Sequence, residues 1–323
     1  MQNDTKKLGG FMPLFGLSAS GHVVHGLKFN SARSAFLEVI RGAEAKEVFL
    51  PNFICDSIAL NPHLQELQVN FYDLNDDFSL SGNLALGPHS VLLYVNYFGM
   101  CDRQAGDVIR GYGKSRVLID NSQAFFSSPS DSIGSIYSPR KFFGLPDGGL
   151  LFSNDNRMLQ PDIRDQTSNG RTSHLIQAVE ASSSSAYKNF RLAEKEIDTL
   201  PVRGMSSLTE DLLSRYDFDF ARMKRAENAA FLHSRLSSEN KLSLDFSEEP
   251  APLCYPLLPD VSTPTRSELL SKKVFLPSYW PEVLERVQAG SFEWDLASNA
   301  LFLPCDQRYS VEDMEELLRR LGR

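Results

Sequence analysis

Residues 117–152 read VLIDNSQAFFSSPSDSIGSIYSPRKFFGLPDGGLLF. The pattern is strand, polar turn, strand, loop, strand. The first apolar run ends on an acid, Asp120, and the second ends on Ser-Pro-Arg-Lys, with Lys141 last. Phe142 and Phe143 then lead into Gly148-Gly149 and a third apolar run. An acid and an amine, both at the carboxyl ends of apolar strands, stand where open α/β sheets place their sites.

The pair has a chemical reading. A lysine amine is a poor nucleophile while protonated, and apolar neighbours or a nearby cation ready it to form a Schiff base with an aldehyde. Pyridoxal 5'-phosphate (PLP) needs such a lysine, together with a carboxylate that keeps its ring nitrogen protonated so that the ring acts as an electron sink. Lys141 and Asp120 are candidates for these two parts.

The surrounding chain predicts an α/β protein. Asn30 to Arg41 (NSARSAFLEVIR) carries an apolar stripe at helical spacing behind an Asn30 or Ser31 N-cap. Glu47 to Pro51 is a short strand, and NFICDSI opens a second helix. Gln68 to Leu74 alternates as a strand does, and Val91 to Phe98 is apolar enough to be buried on both faces of a parallel sheet. A helix over 104–112 and a strand over 116–120 follow. Strands alternating with helices imply a parallel sheet with right-handed crossovers.

Beyond Phe152 the character changes. Residues 154–171 read as a loop, 172–200 as one long helix or two with a weak point at the Ser182–Ser185 run, and 206–215 and 219–236 as amphipathic helices. Arg222, Lys224 and Arg225 are expected on a solvated face of the last of these. Short strands are expected at LSLDF (242–246), PLCYPLL and KKVFLP, with a helix near 265–271. The closing segment reads as strand, turn and amphipathic helix, with Ser310 as N-cap and Asp313 three residues on.

The segments VLIDNSQAF and SPRKFFGLPDGG resemble the strand–loop–lysine region of fold-type I PLP enzymes, most nearly that of the DegT/StrS-like sugar aminotransferases. The resemblance implies that Asp120 holds the pyridine nitrogen, Gln123 lies by the ring, Lys141 carries the cofactor and Ser138 contacts its phosphate. It also implies a phosphate cradle at Ser31, Ala32 and Arg33, where the usual glycine is Ala32, and an aromatic, Phe53, stacked on the ring. KNFRLAE resembles a family Asn-x-Arg segment, here Asn189 and Arg191, that reaches the neighbouring subunit. LPCDQR resembles the strand before the family's final helix, and Arg308 is a candidate for a substrate carboxylate or a structural ion pair. The likeness is dense over about residues 30–153 and patchy beyond 200.

The fold so implied is a fold-type I transferase: a large α/β domain with a mostly parallel, seven-stranded-type sheet, plus a smaller α+β C-terminal domain. The expected division is an N-terminal arm over 1–29, the large domain over 30–204 and the small domain over 205–323. The implied enzyme is a homodimer. It moves an amino group from an amino-acid donor, glutamate, to a keto acceptor, a nucleotide-linked keto sugar of cell-surface polysaccharide or secondary-metabolite synthesis.

Composition narrows the alternatives. The net charge of −8, without a long basic run, argues against nucleic acid or an anionic membrane as partner. Four well-separated cysteines argue against a zinc site or disulfide framework and for a reducing, cytoplasmic setting. The six histidines share no metal-ligand spacing, and Trp280 and Trp294 read as packing residues. No apolar run reaches the roughly 18 residues of a membrane span, and the first 21 residues are too broken by Gly and Pro for a signal peptide. Ser-x-x-Lys also occurs in penicillin-recognising acyl-transfer enzymes, but their S-D-N and K-T-G partners are missing. A PLP-fold protein that only binds or regulates, or a dehydratase or lyase on this fold, is the remaining alternative. The related dehydratases carry His at the lysine position, which Lys141 does not match.

Overall fold

A computed structural model describes residues 7–12, 14, 21–180, 183–259 and 264–323, with the side chains of 183 and 184 left aside. Much of the expected arm and Ser182 therefore lie outside the described residues.

Seven strands form one sheet: β1 (Leu27–Phe29), β2 (Glu47–Pro51), β3 (Gln68–Tyr72), β4 (Ser90–Val95), β5 (Val117–Asn121), β6 (Gly134–Tyr137) and β7 (Gly149–Phe152). Their order across the sheet is β1-β7-β6-β5-β4-β2-β3. Strands β2 to β6 pair in parallel, and β7 runs antiparallel to both β6 and β1. Every residue of β4 and β5 is buried. Their unbroken apolar sequence has the same cause, since helices or loops cover both faces of a parallel sheet.

Helix α1 (Ala32–Gly42) starts where the sequence places it, with Ser31 Oγ accepting the Ser34 amide at 3.1 Å. Helix α2 (Asp102–Tyr112) crosses from β4 to β5. The segment 172–200 is two helices, α3 (Ser173–Glu180) and α4 (Ser183–Asp198), followed by α5 (Ser207–Ser214) and α6 (Phe218–Leu236). The C-terminal half adds α7 (Phe292–Asn299), α8 (Val311–Leu321) and two small strand pairs. Tyr255–Leu257 pairs antiparallel with Leu301–Leu303, and Leu8–Gly9 pairs parallel with Val274–Phe275. The Ser310 amide donates to the Asp313 carboxylate at 2.9 Å, as the capping pattern predicts.

Three expectations need correction. Leu27–Phe29, assigned to the arm, is an edge strand of the sheet. Residues 242–246 form no strand, because the local polar groups turn the chain instead. Asn240 Oδ1 takes the Leu242 amide, and Asp245 Oδ1 takes the Ser247 amide. Arg225 is only 1% exposed rather than solvated.

The packing also ignores the expected break at 204/205. Met205, Leu213 and Tyr216 pack with Phe142 and Phe143 beneath the loop that carries Lys141. A separate C-terminal cluster gathers Ala229, Leu232 and Leu236 of α6 with Tyr255, Leu303, Met314 and Leu317, and it takes in Leu8 from the arm.

The Gly148-Gly149 pair is where backbone meets backbone. A Cβ on Gly149 would lie 2.2 Å from the Ser31 carbonyl carbon and 2.5 Å from the Ala32 nitrogen. Gly149→Ala should therefore lower unfolding stability by more than about 2 kcal/mol. Gly111→Ala, with nothing within 4 Å in α2, should be neutral or gain up to about 1 kcal/mol. Urea unfolding of the two variants checks the contrast, and equal stabilities would contradict the close approach.

Candidate active site

Parallel pairing decides which residues can meet. In the β5–β6 register Asp120 faces Ile136 and Asn121 faces Tyr137. Ser138 follows β6 directly, and one 3₁₀ turn, Pro139–Lys141, carries the lysine just past the strand end. Asp120 and Lys141 thus stand on neighbouring strands at the same, carboxyl edge of the sheet. Asp120 is buried and its Oδ1 accepts the Ser122 amide at 2.8 Å, while Lys141 is exposed.

One sulfur atom registers both. Cys55 follows β2 and precedes a short helix at Asp56–Ala59. Burial pushes its thiol up; the Ser57 hydroxyl at 3.0 Å and the Lys141 ammonium pull it down, and the Asp120 carboxylate opposes them. Cys55 is therefore within electrostatic reach of both the amine and the acid. Its position, opening a helix past a strand's carboxyl end, is the sequence signal that marks it.

Gln123 is 1% exposed. Its Oε1 accepts the Phe98 amide at 3.0 Å, but its Nε2 is buried with no partner among the described residues. A buried amide donor without an acceptor costs about 1–3 kcal/mol, so this group points to a ligand atom that accepts.

The remaining predicted residues divide. Ser31 pairs with Gly148 through a parallel bridge, and a Cβ on Gly148 would lie 3.5 Å from Pro139 Cγ. Ser31, the start of α1 at Ala32, and Ser138 are thereby gathered around Gly148, and the Ser138 hydroxyl caps no helix amide. The Arg33 guanidinium turns away. It donates to the carbonyls of Ile197 and Asp198, at 2.8 and 2.6 Å, and so caps α4.

Phe53 also departs from expectation. Its ring is wholly buried, 4.8 Å from Trp280 and 5.7 Å from Tyr97, so its faces are occupied by the core. Arg308 is a structural residue. It grips Asp306 through two hydrogen bonds and donates to the Phe11 carbonyl. Asn189 bridges α4 to α3 through Gln177 at 2.9 Å, and Arg191 is exposed. Among the described residues no His, Cys, Asp and Glu group has metal-ligand geometry, and no helix is long and apolar enough to cross a membrane.

No family model matches the sequence, and no curated protein matches it. Solved structures do match. The aminotransferase PseC of Helicobacter pylori, involved in the biosynthesis of pseudoaminic acid, superposes with a TM-score of 0.60 at 15% identity, over 98% of each chain. The sugar aminotransferase CalS13 of Micromonospora echinospora gives 0.60 at 14% identity, over 91% of this chain and 86% of that one. NtdA of Bacillus subtilis, solved with bound cofactor PMP, gives 0.62 at 15% identity, over 93% and 73%. The chain has their fold. The expected fold-type I architecture, with its seven-stranded sheet, is therefore correct.

The loop beyond Lys141 is anchored by a buried acid, Asp147. Asp147 has no exposed surface. Its Oδ2 accepts the Ser206 amide at 2.9 Å, and its Oδ1 accepts the Ser206 hydroxyl at 2.8 Å and that of Thr209. Burial pushes its carboxyl up to about 6, with the Ser206 donors and Arg171 pulling it down and Asp165 adding to the rise.

The folded state thus holds this proton to higher pH than the unfolded chain, whose carboxyl titrates near 3.8. The associated stability is complete at low pH and falls as pH rises from about 4 to about 6. Asp147→Asn removes that titration. Urea unfolding across this window should show the variant gaining roughly 1–3 kcal/mol on the wild type. Parallel pH profiles would refute the assignment.

Proposed function

We propose that this chain is a PLP-dependent aminotransferase that carries an amino group from an amino-acid donor, glutamate, to a keto acceptor, a nucleotide-linked keto sugar. The observation that carries the proposal is the placement of Asp120 and Lys141 at the carboxyl ends of two neighbouring, parallel-paired strands. An amine and a carboxylate on adjacent strand ends form the pair that a pyridine aldehyde requires. The sugar aminotransferases among the structural neighbours support the acceptor class.

The residues present fit the cofactor. The unpartnered Nε2 of Gln123 needs an acceptor, which the ring hydroxyl oxygen of PLP offers. Ser138 and the start of α1 supply hydroxyl and helix-end groups suited to a phosphate. When bound, the cofactor supplies a sink for the electrons left behind when a substrate C–H bond breaks.

The protein's own work follows from its geometry. Lys141 would hold the cofactor's aldehyde carbon, and its amine, when free, would act as general base and acid toward the substrate α-carbon. Asp120, fixed by the Ser122 amide, would keep the ring nitrogen protonated. Burial of Asp120 and Gln123 keeps water from competing for these contacts.

We read the working unit as a homodimer. Ile176 and Val179 of α3 and Tyr187 and Leu192 of α4 are exposed apolar side chains that a second copy would cover. Four free cysteines suit a reducing, cytoplasmic compartment.

Lys141→Ala should abolish the visible absorbance of the lysine–PLP adduct and all turnover while leaving the circular dichroism spectrum unchanged. Asp120→Ala should still take up PLP but lose catalysis by roughly a hundredfold or more. Borohydride reduction and peptide mapping locate the modified lysine, and the same adduct on the Lys141→Ala protein would place the anchor elsewhere. Adding glutamate to PLP-loaded wild type should bleach the adduct band. A band unaffected by any amino donor would favour a protein that binds the cofactor without transamination.

A further inference from the structure

Arg225 is a buried cation with no directly bonded carboxylate among the described residues. Its Nε donates to Gln307 Oε1 at 2.9 Å, and its Nη1 donates to the carbonyls of Pro252 and Leu253 at 3.0 and 3.1 Å. Its guanidinium lies 4.6 Å from the ring centre of Phe142, the residue next to Lys141. Gln307 completes the connection, since its Nε2 donates to the Phe142 carbonyl at 2.8 Å. A desolvated charge is tolerated only when its donors are satisfied. The planar fork of arginine meets three acceptors and a ring face at once, which a lysine cannot do.

The same contacts run to the other end of the site. The Leu253 amide donates to the Phe98 carbonyl at 2.8 Å, and the Phe98 amide donates to Gln123 Oε1 at 3.0 Å. Phe98 sits in the left-handed region, at φ 58°, a strained conformation for a non-glycine residue that persists only where neighbours fix it. An unbroken hydrogen-bonded path therefore joins Gln123 to the backbone of Phe142 through the C-terminal half of the chain.

We propose that Arg225 and Gln307 are positioning residues for Lys141, acting through the ring and carbonyl of Phe142. This inference rests on the reading of Lys141 as the reactive amine. The turn bearing Lys141 is closed by the Phe142 and Phe143 amides, both donating to the Pro139 carbonyl. Tying the Phe142 carbonyl to Gln307 fixes the far side of that turn. The C-terminal half thus sets the spacing between the lysine and Gln123 as well as covering the sheet edge.

Removing Arg225 strips partners from two buried carbonyls and threatens folding, so the decisive variant is Gln307→Glu. It leaves Arg225 an acceptor but takes away the donor to Phe142. The variant should stay folded by circular dichroism, exchange its Phe142 and Phe143 amides about tenfold faster, and form the borohydride-reducible PLP adduct at Lys141 about tenfold more slowly. Arg225→Lys, which keeps the charge but loses the fork, should slow adduct formation similarly. Wild-type adduct formation in Gln307→Glu overturns the inference, whatever the exchange shows. If the wild type itself forms no adduct at Lys141, the cofactor reading fails and amide exchange alone decides. Faster exchange then sustains the tether, and unchanged exchange overturns it.

Discussion

Everything at the site depends on one pairing, the parallel ladder between β5 and β6. It puts the end of an acid-terminated strand beside the end of a strand that leads into Lys141. Side chains alternate faces with a period of two, so a slip of one residue would turn Asp120 to the opposite face. That register is held by burial. Every residue of both strands is enclosed, so a shifted ladder would have to repack Leu118, Ile119 and Ile136 along with Asp120. The covalent chemistry proposed for Lys141 is thus a consequence of hydrophobic packing several residues away.

The polar groups near that edge are bound by the same logic. Asp147 is enclosed with three hydrogen bonds from Ser206 and Thr209, and Arg225 is enclosed with three from its own donors and a ring below it. Each lies within a few residues of the lysine loop in space. Asp147 ties the loop to the start of α5, and Arg225 ties Phe142 to the C-terminal half. Breaking one partner of such a buried set costs more than the intact set contributes, because a desolvated group is left behind. The loop that carries Lys141 is accordingly held from both ends by groups that cannot readily let go.

The alternation of strands and helices was legible because it is written in local patterns: apolar runs, capped helix starts, and a turn between two strand ends. What was not legible depended on tertiary contact. Arg225 sits among Arg222 and Lys224, and its sequence gives no sign that it alone points inward toward Phe142. Phe53 looks like a free aromatic in sequence, but Trp280, more than 200 positions away, closes over it. Cys55, two residues on, feels the charges of both the acid and the amine. Arg33 reads as a phosphate ligand beside a helix start until the end of α4 arrives to claim it. Leu27–Phe29 is too short to announce itself, and only its partner β7 makes it a strand.

That last strand explains how the helix end reaches the site. β7 reverses direction, so it begins at the carboxyl edge with Gly149, and β1, antiparallel to it, ends at that same edge with Phe29. Phe29 passes straight to Ser31 and α1, whose first amides carry the positive end of the helix dipole. Had β7 continued in parallel, β1 would run the other way and α1 would start at the opposite edge. The close approach of Gly149 to the Ser31 backbone is the steric consequence, since two chain segments leave and enter the edge at one point. A single reversal in an otherwise parallel sheet thereby brings the positive end of a helix to the acid and the amine, on the edge where both already stand.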